Sequence, residues 1–137
     1  MSKAIEKWLA PLDQLSHLEC DGMTRVISHL LDENGVDHCI CSGLLTDLEK
    51  LYDSAVPGAE HVAVTHWWVE LYDGHYIDFR ARMWMGDLAP HGVFQPKFGR
   101  FEYRVIDKQN RLSRLPVEIL SLMSGVNLKE WPPLSQS

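Results

Sequence analysis

Apolar residues recur every three to four positions in two stretches near the start of the chain, and in shorter alternating runs after them. Ile5, Trp8 and Leu9 fall on one face of a helix over Ser2–Leu9, which Pro11 ends. A stronger stripe follows the polar stretch 13–19: Met23, Val26, Ile27, Leu30 and Leu31, stopped by Asn34-Gly35. One turn further back the stripe reaches Cys20, so the thiol is expected at the start of this central helix, on its buried side. Residues 36–41 are rich in β-branched and small apolar residues and are bounded by Ser42-Gly43, which predicts a short buried strand. Residues 44–51 read as a helical turn or two. Beyond the Pro57-Gly58 loop, residues 61–71 and 76–84 flank Asp73-Gly74 as the arms of a β-hairpin. Residues 86–99 form a Pro- and Gly-rich ordered loop, 100–106 a strand, and 115–123 a helix with Pro116 in its first turn. Helices first and antiparallel strands after them make an α+β plan, with the N-terminal helices docked on an antiparallel sheet.

The chain has 137 residues, enough for one core, and we expect a single domain over residues 1–130 with a C-terminal tail at 131–137. Apolar residues make up 45% and charged residues 23%, the balance of a chain that folds unaided. A net charge of -6 argues against a nucleic-acid partner, which calls for a basic face. Residues 1–12 lack the apolar run of a signal peptide, and no window approaches the roughly 18 apolar residues of a membrane span. A cytoplasmic protein is the expectation. Three cysteines do not form a disulfide framework, so reduced thiols are expected, free to act as nucleophiles.

A thiol attacks as thiolate, and a helix N-terminus with an imidazolium beside it favours that form. Cys20 supplies the first half of this arrangement. The hairpin offers the second: His66 on one arm and Asp78 on the other, where the carboxylate fixes the tautomer of the imidazole and leaves the second nitrogen for the nucleophile. Asp78 sits between Ile77 and Phe79, where burying an acid requires donors.

The order Cys, His, Asp, with the thiol at a helix start and the other two on neighbouring strands, resembles the papain-like and transglutaminase-like cysteine hydrolases. Three stretches carry the resemblance: Cys20-Asp21-Gly22-Met23 running on to Leu31, the segment from Gly35 to Gly43, and His66-Trp67-Trp68-Val69-Glu70-Leu71 with Tyr76-Ile77-Asp78-Phe79. The last is similar to the His-x-Trp-Val-Glu and Ile-Asp segments of short bacterial members; larger members have Asp-Pro-Thr where this chain has Asp78-Phe79-Arg80. The resemblance implies Cys20 as nucleophile, His66 as base, Asp78 as the group that orients it, and Gln14 as an oxyanion-hole candidate. It implies a hydrolase or acyl-transferase working through a thioester on a protein, peptide or small amide substrate, without metal or cofactor.

The hairpin contains its own test. A two-residue Asp73-Gly74 loop would pair Val69 with Asp78 and, by alternation, put His66 and Asp78 on opposite faces. A three-residue loop with Gly74 left-handed shifts the register by one and brings them to one face. Two rival readings stand beside the enzyme. One is a catalytically inactive fold that binds a partner through Trp67, Trp68, Trp84 and residues 90–101. The other is a metal site built from Cys39, Cys41 and histidines among His38, His61 and His91. His91 is also an alternative base, and Arg80 and Arg82 either bind an acidic substrate group or face solvent.

Overall fold

The α2 helix, Cys20–Glu33, exists because its apolar stripe has a sheet to cover: Met23, Val26, Ile27, Leu30 and Leu31 are all buried. Each such side chain contributes about 1.5–3 kcal/mol on leaving water. The structure, a computed structural model, describes residues 1–53, 55–56, 61–110 and 115–134, so the Pro57-Gly58 loop lies outside it. In order, the chain forms α1 (Ser2–Leu9), a 3-10 turn (Ala10–Gln14), α2, β1 (His38–Asp47), α3 (Leu48–Tyr52), β2 (Ala63–Leu71), β3 (Tyr76–Asp78), α4 (Ala81–Met85), β4 (Gly92–Phe94), β5 (Phe101–Gln109) and α5 (Val117–Ser124). The result is the expected α+β fold, with N-terminal helices packed on a five-stranded antiparallel sheet of order β4-β3-β2-β1-β5.

Alternation along the strands divides the sheet into two faces. Val69, Leu71 and Ile77 pack with Ile5 and Leu9 of α1, the α2 stripe and Leu120 of α5. The opposite side chains, Cys41, Trp68 and Tyr76, form a smaller cluster with Phe94 and Tyr103. At the far end of this second face, Leu45 and Phe101 meet Ala81, Met85 and Ala89. Of the expected tail, residues 131–134 lie against the first core: Trp131 and Leu134 pack there, Trp8 Nε1 donates to the Pro132 carbonyl at 2.7 Å, and Leu134 N–H donates to Asn34 Oδ1 at 3.0 Å. Residues 135–137 lie outside the described residues. No helix among the described residues is long and apolar enough to cross a membrane.

Three stretches depart from expectation. β1 does not stop at Ser42-Gly43 but runs on to Asp47, because it is a central strand hydrogen-bonded to β2 on one side and β5 on the other. The helix expected from residue 44 therefore begins only at Leu48, where Asp47 accepts from Lys50 N–H. The second hairpin arm ends at Asp78, and residues 81–85 turn into a helix because Asp78 Oδ1 accepts from the N–H groups of Arg80 and Ala81 at 2.8 and 3.0 Å. Finally, the loop at 86–99 contains β4, which extends the sheet by pairing with β3.

Candidate functional site

The hairpin closes with the three-residue loop. Val69 pairs with Ile77 and Glu70 with Tyr76, Leu71 N–H donates to the His75 carbonyl at 2.7 Å, and Gly74 takes a φ of +91° that a side chain would resist. His66 and Asp78 thereby share a face. Both are buried, at 1% and 3% exposure, and His66 Nε2–H donates to Asp78 Oδ2 at 2.7 Å.

Asp78 is held by four donors. Oδ1 accepts the two backbone N–H groups that begin α4, and Oδ2 accepts His66 together with the hydroxyl of Tyr103 from β5, at 2.8 Å. Four donors on its two oxygens fix the carboxylate in direction. Burial works against a charge on His66, but the adjacent Asp78 charge and hydrogen bond outweigh it, with a further contribution from Cys20, and the imidazole is raised to about 9. Burial and the Asp78 charge push the Tyr103 phenol far up, so it remains a neutral donor.

Cys20 reaches this pair from the helical side. β3 ends at Asp78, so among the described residues no strand pairs with the part of β2 around His66 on that flank, and Cys20 at the tip of α2 lies with Trp67 and Asp78 around a recess. Cys20, Trp67, Ile77, Asp78, Phe79 and Arg80 line one narrow recess that does not admit a water-sized molecule. The Cys20 thiol is near enough to favour the imidazolium of His66. With Nε2 engaged by Asp78, Nδ1 is the nitrogen left for it; that nitrogen is buried without a completed hydrogen bond.

Arg80 settles how the helix tip is placed. At 4% exposure, its Nε donates to the Leu18 carbonyl, Nη1 to Asp13 Oδ1 and the Phe79 carbonyl at 2.9 and 2.8 Å, and Nη2 to the Leu15 carbonyl at 2.7 Å. The segment leading into Cys20 is thus clamped to the residue two positions after Asp78. Arg80 neither faces solvent nor is free for a substrate, which corrects both expectations. Arg82 is exposed, with its Nε on the Ala89 carbonyl. Sequence reasoning missed the part played by Arg80 and missed Tyr103 altogether. A long cation directly after a buried acid was the only available signal for Arg80, and Tyr103 gave none.

The remaining candidates lie apart. Gln14 ends the 3-10 turn, exposed, and is not among the residues lining the recess around Cys20. His91 pairs with Asp13 at 3.0 Å and sits edge-on to Phe79, while Asp78 holds His66 and not His91. Cys39 meets Asn110, and Cys41 is buried beside Glu70. His38 bonds to Ser28 and the Val36 carbonyl, and His61 stacks edge-on against Trp84. No group of three or more His, Cys, Asp or Glu among the described residues is placed to hold a metal ion. Trp68 is in the core, and Trp67 and Trp84 are half-buried. Among the exposed aromatics, Tyr52, Tyr72 and Phe98, the last is fully exposed, on a groove of about 840 Å³ also lined by Arg82, Leu88, Lys97, Phe101 and Tyr103.

No protein-family model, curated protein or solved structure matches this chain.

Proposed function

We propose that this chain is a cysteine-dependent hydrolase or acyl-transferase of the papain-like or transglutaminase-like kind, with Cys20 as nucleophile, His66 as acid and base, and Asp78 as the group that orients His66. One observation carries the reading. A buried imidazole is tied through Nε2 to a fixed carboxylate, its Nδ1 is unpaired, and a thiol stands beside it at the tip of a helix.

The chemistry follows from that placement. His66 takes the proton of the Cys20 thiol, and the resulting thiolate attacks an acyl carbon of an amide. The carbonyl oxygen gains negative charge, which the first-turn N–H groups of α2 are oriented to receive. Gly22 N–H is already occupied by Asp21 Oδ1 at 2.8 Å, so the N–H groups of Cys20 and Asp21 are the donors for this role. The imidazolium then gives its proton to the departing amine, leaving a thioester on Cys20. Water releases it as an acid, or a second amine as a new amide. Three free cysteines fit a cytoplasmic setting, where thiols stay reduced.

A second reading, an inactive fold serving as an interaction module, is favoured by the closed recess beside Cys20 and by the exposed Phe98 on its groove. Alkylation with iodoacetamide at neutral pH, read by mass spectrometry, separates the two. The enzyme reading expects Cys20 to react first and at a rate that drops when His66→Ala is introduced. Equal rates at Cys20 with and without His66 would leave the interaction module standing. With an acyl substrate in hand, Cys20→Ala should abolish turnover and leave the fold unchanged.

A further inference from the structure

Tyr103 lies on the sheet's edge strand, and its presence beside Asp78 depends on an irregularity in β1. From Ile40 to Ser42, β1 pairs with β5 in the register Ile40 with Gln109, Cys41 with Lys108, Ser42 with Asp107. At Gly43 the register slips, and Gly43 pairs with Val105, Leu45 with Tyr103. Without that bulge Leu45 would face Arg104, and Tyr103 would point to the other side of the sheet. Gly43 permits the bulge: a Cβ there would lie 1.9 Å from the Arg104 carbonyl oxygen. Gly43 is also the residue opposite His66 on β1. One glycine therefore puts a phenol on the face, and at the height, where the imidazole and carboxylate meet.

We propose that Tyr103 is a positioning residue for the reaction proposed above: its hydroxyl shares Asp78 Oδ2 with His66 Nε2–H and so sets how strongly the carboxylate holds the imidazole. A carboxylate oxygen that accepts two hydrogen bonds has less charge to offer either donor. Tyr103 thus keeps Asp78 in place and moderates its pull on the imidazolium, so that the proton on His66 can still be given to a leaving group. The titratable groups around His66 are Cys20 from α2, Asp78 from β3 and Tyr103 from β5, with Tyr76 behind Tyr103; the Arg80 guanidinium is turned away to the segment before α2. Directly opposite His66, β1 places Gly43, which has no side chain to titrate.

The test compares wild type with Tyr103→Phe by two readouts on the full chain: the titration midpoint of the His66 ring by NMR, and the pH profile of Cys20 alkylation. Loss of the hydroxyl should move the midpoint up by about one pH unit, and the alkaline limb of the alkylation profile with it. If Tyr103→Phe fails to fold, site-specific 3-fluorotyrosine at position 103 keeps the ring; as a stronger donor it should move both readouts down. An unmoved midpoint overturns the proposal. This proposal rests on the cysteine-enzyme reading, and the two fail differently. Alkylation that depends on His66 but keeps its limb in the Tyr103 variant removes only Tyr103. Alkylation that ignores His66 removes the enzyme, and the role of Tyr103 in its reaction with it.

Discussion

Asp47 and Asp78 solve the same local problem and then diverge. Each is a buried aspartate at the end of a strand, and each accepts backbone N–H groups from the first turn of a short helix. Asp47 spends its remaining capacity on Arg100, through a paired contact of 2.9 and 2.8 Å. Asp78 gives it to His66 and Tyr103. A guanidinium does not release its proton in a protein, so the Asp47 pair can only hold α3 and β5 to β1. An imidazole can release its proton, so in the proposed enzyme the same capping geometry orients a base. The partner, not the aspartate, separates a structural pair from a candidate catalytic one.

The largest expected effect breaks this comparison directly. Asp78→Asn should slow Cys20 alkylation at pH 7 by about a hundredfold, the scale of an oriented acid and base, while Asp47→Asn should leave the rate within about twofold; loss in both, or in neither, removes the distinction. Next in size is stability. Asp47→Ala removes the buried carboxylate that Arg100 shares with the first turn of α3, leaving Arg100 its contact with Glu49, and should cost about 3 kcal/mol in urea unfolding, with Cys20 reactivity unaffected in the folded fraction.

The two pairs should also respond to pH at opposite ends. Because the Arg100 hydrogen bond holds Asp47 below the usual carboxylate range, its contribution is present above pH of about 4 and lost as the pH falls. His66 is raised from 6.5 to about 9, so its contribution is complete below pH 6.5 and disappears as the pH rises through 9, a loss of at most about 3 kcal/mol. Urea midpoints measured from pH 3 to 10 should show both slopes, and Asp78→Asn should flatten only the alkaline one. The smallest effect concerns the other thiols. Burial, then Glu70, pushes Cys41 up to about 12, so at neutral pH it should stay unmodified, by mass spectrometry, over the time in which Cys20 is fully alkylated.

The sequence by itself determined the α2 stripe, the place of Cys20 at its start, the hairpin around Asp73-Gly74 and the α+β order, because these rest on periodicities and turn residues carried within about ten positions. It also posed the hairpin register as a choice between a two- and a three-residue loop, with His66 and Asp78 on one face only in the second. Tertiary structure decided the rest. β1 runs past Ser42-Gly43 because two neighbouring strands supply hydrogen bonds that outweigh a local break. The chain leaves the sheet after Asp78 because a carboxylate caps the next turn. Arg80 and Tyr103 join the site through partners 62 and 25 residues away in the chain. A one-residue bulge or a buried guanidinium leaves no period in the sequence, since its energy comes from groups that meet only once the sheet has formed.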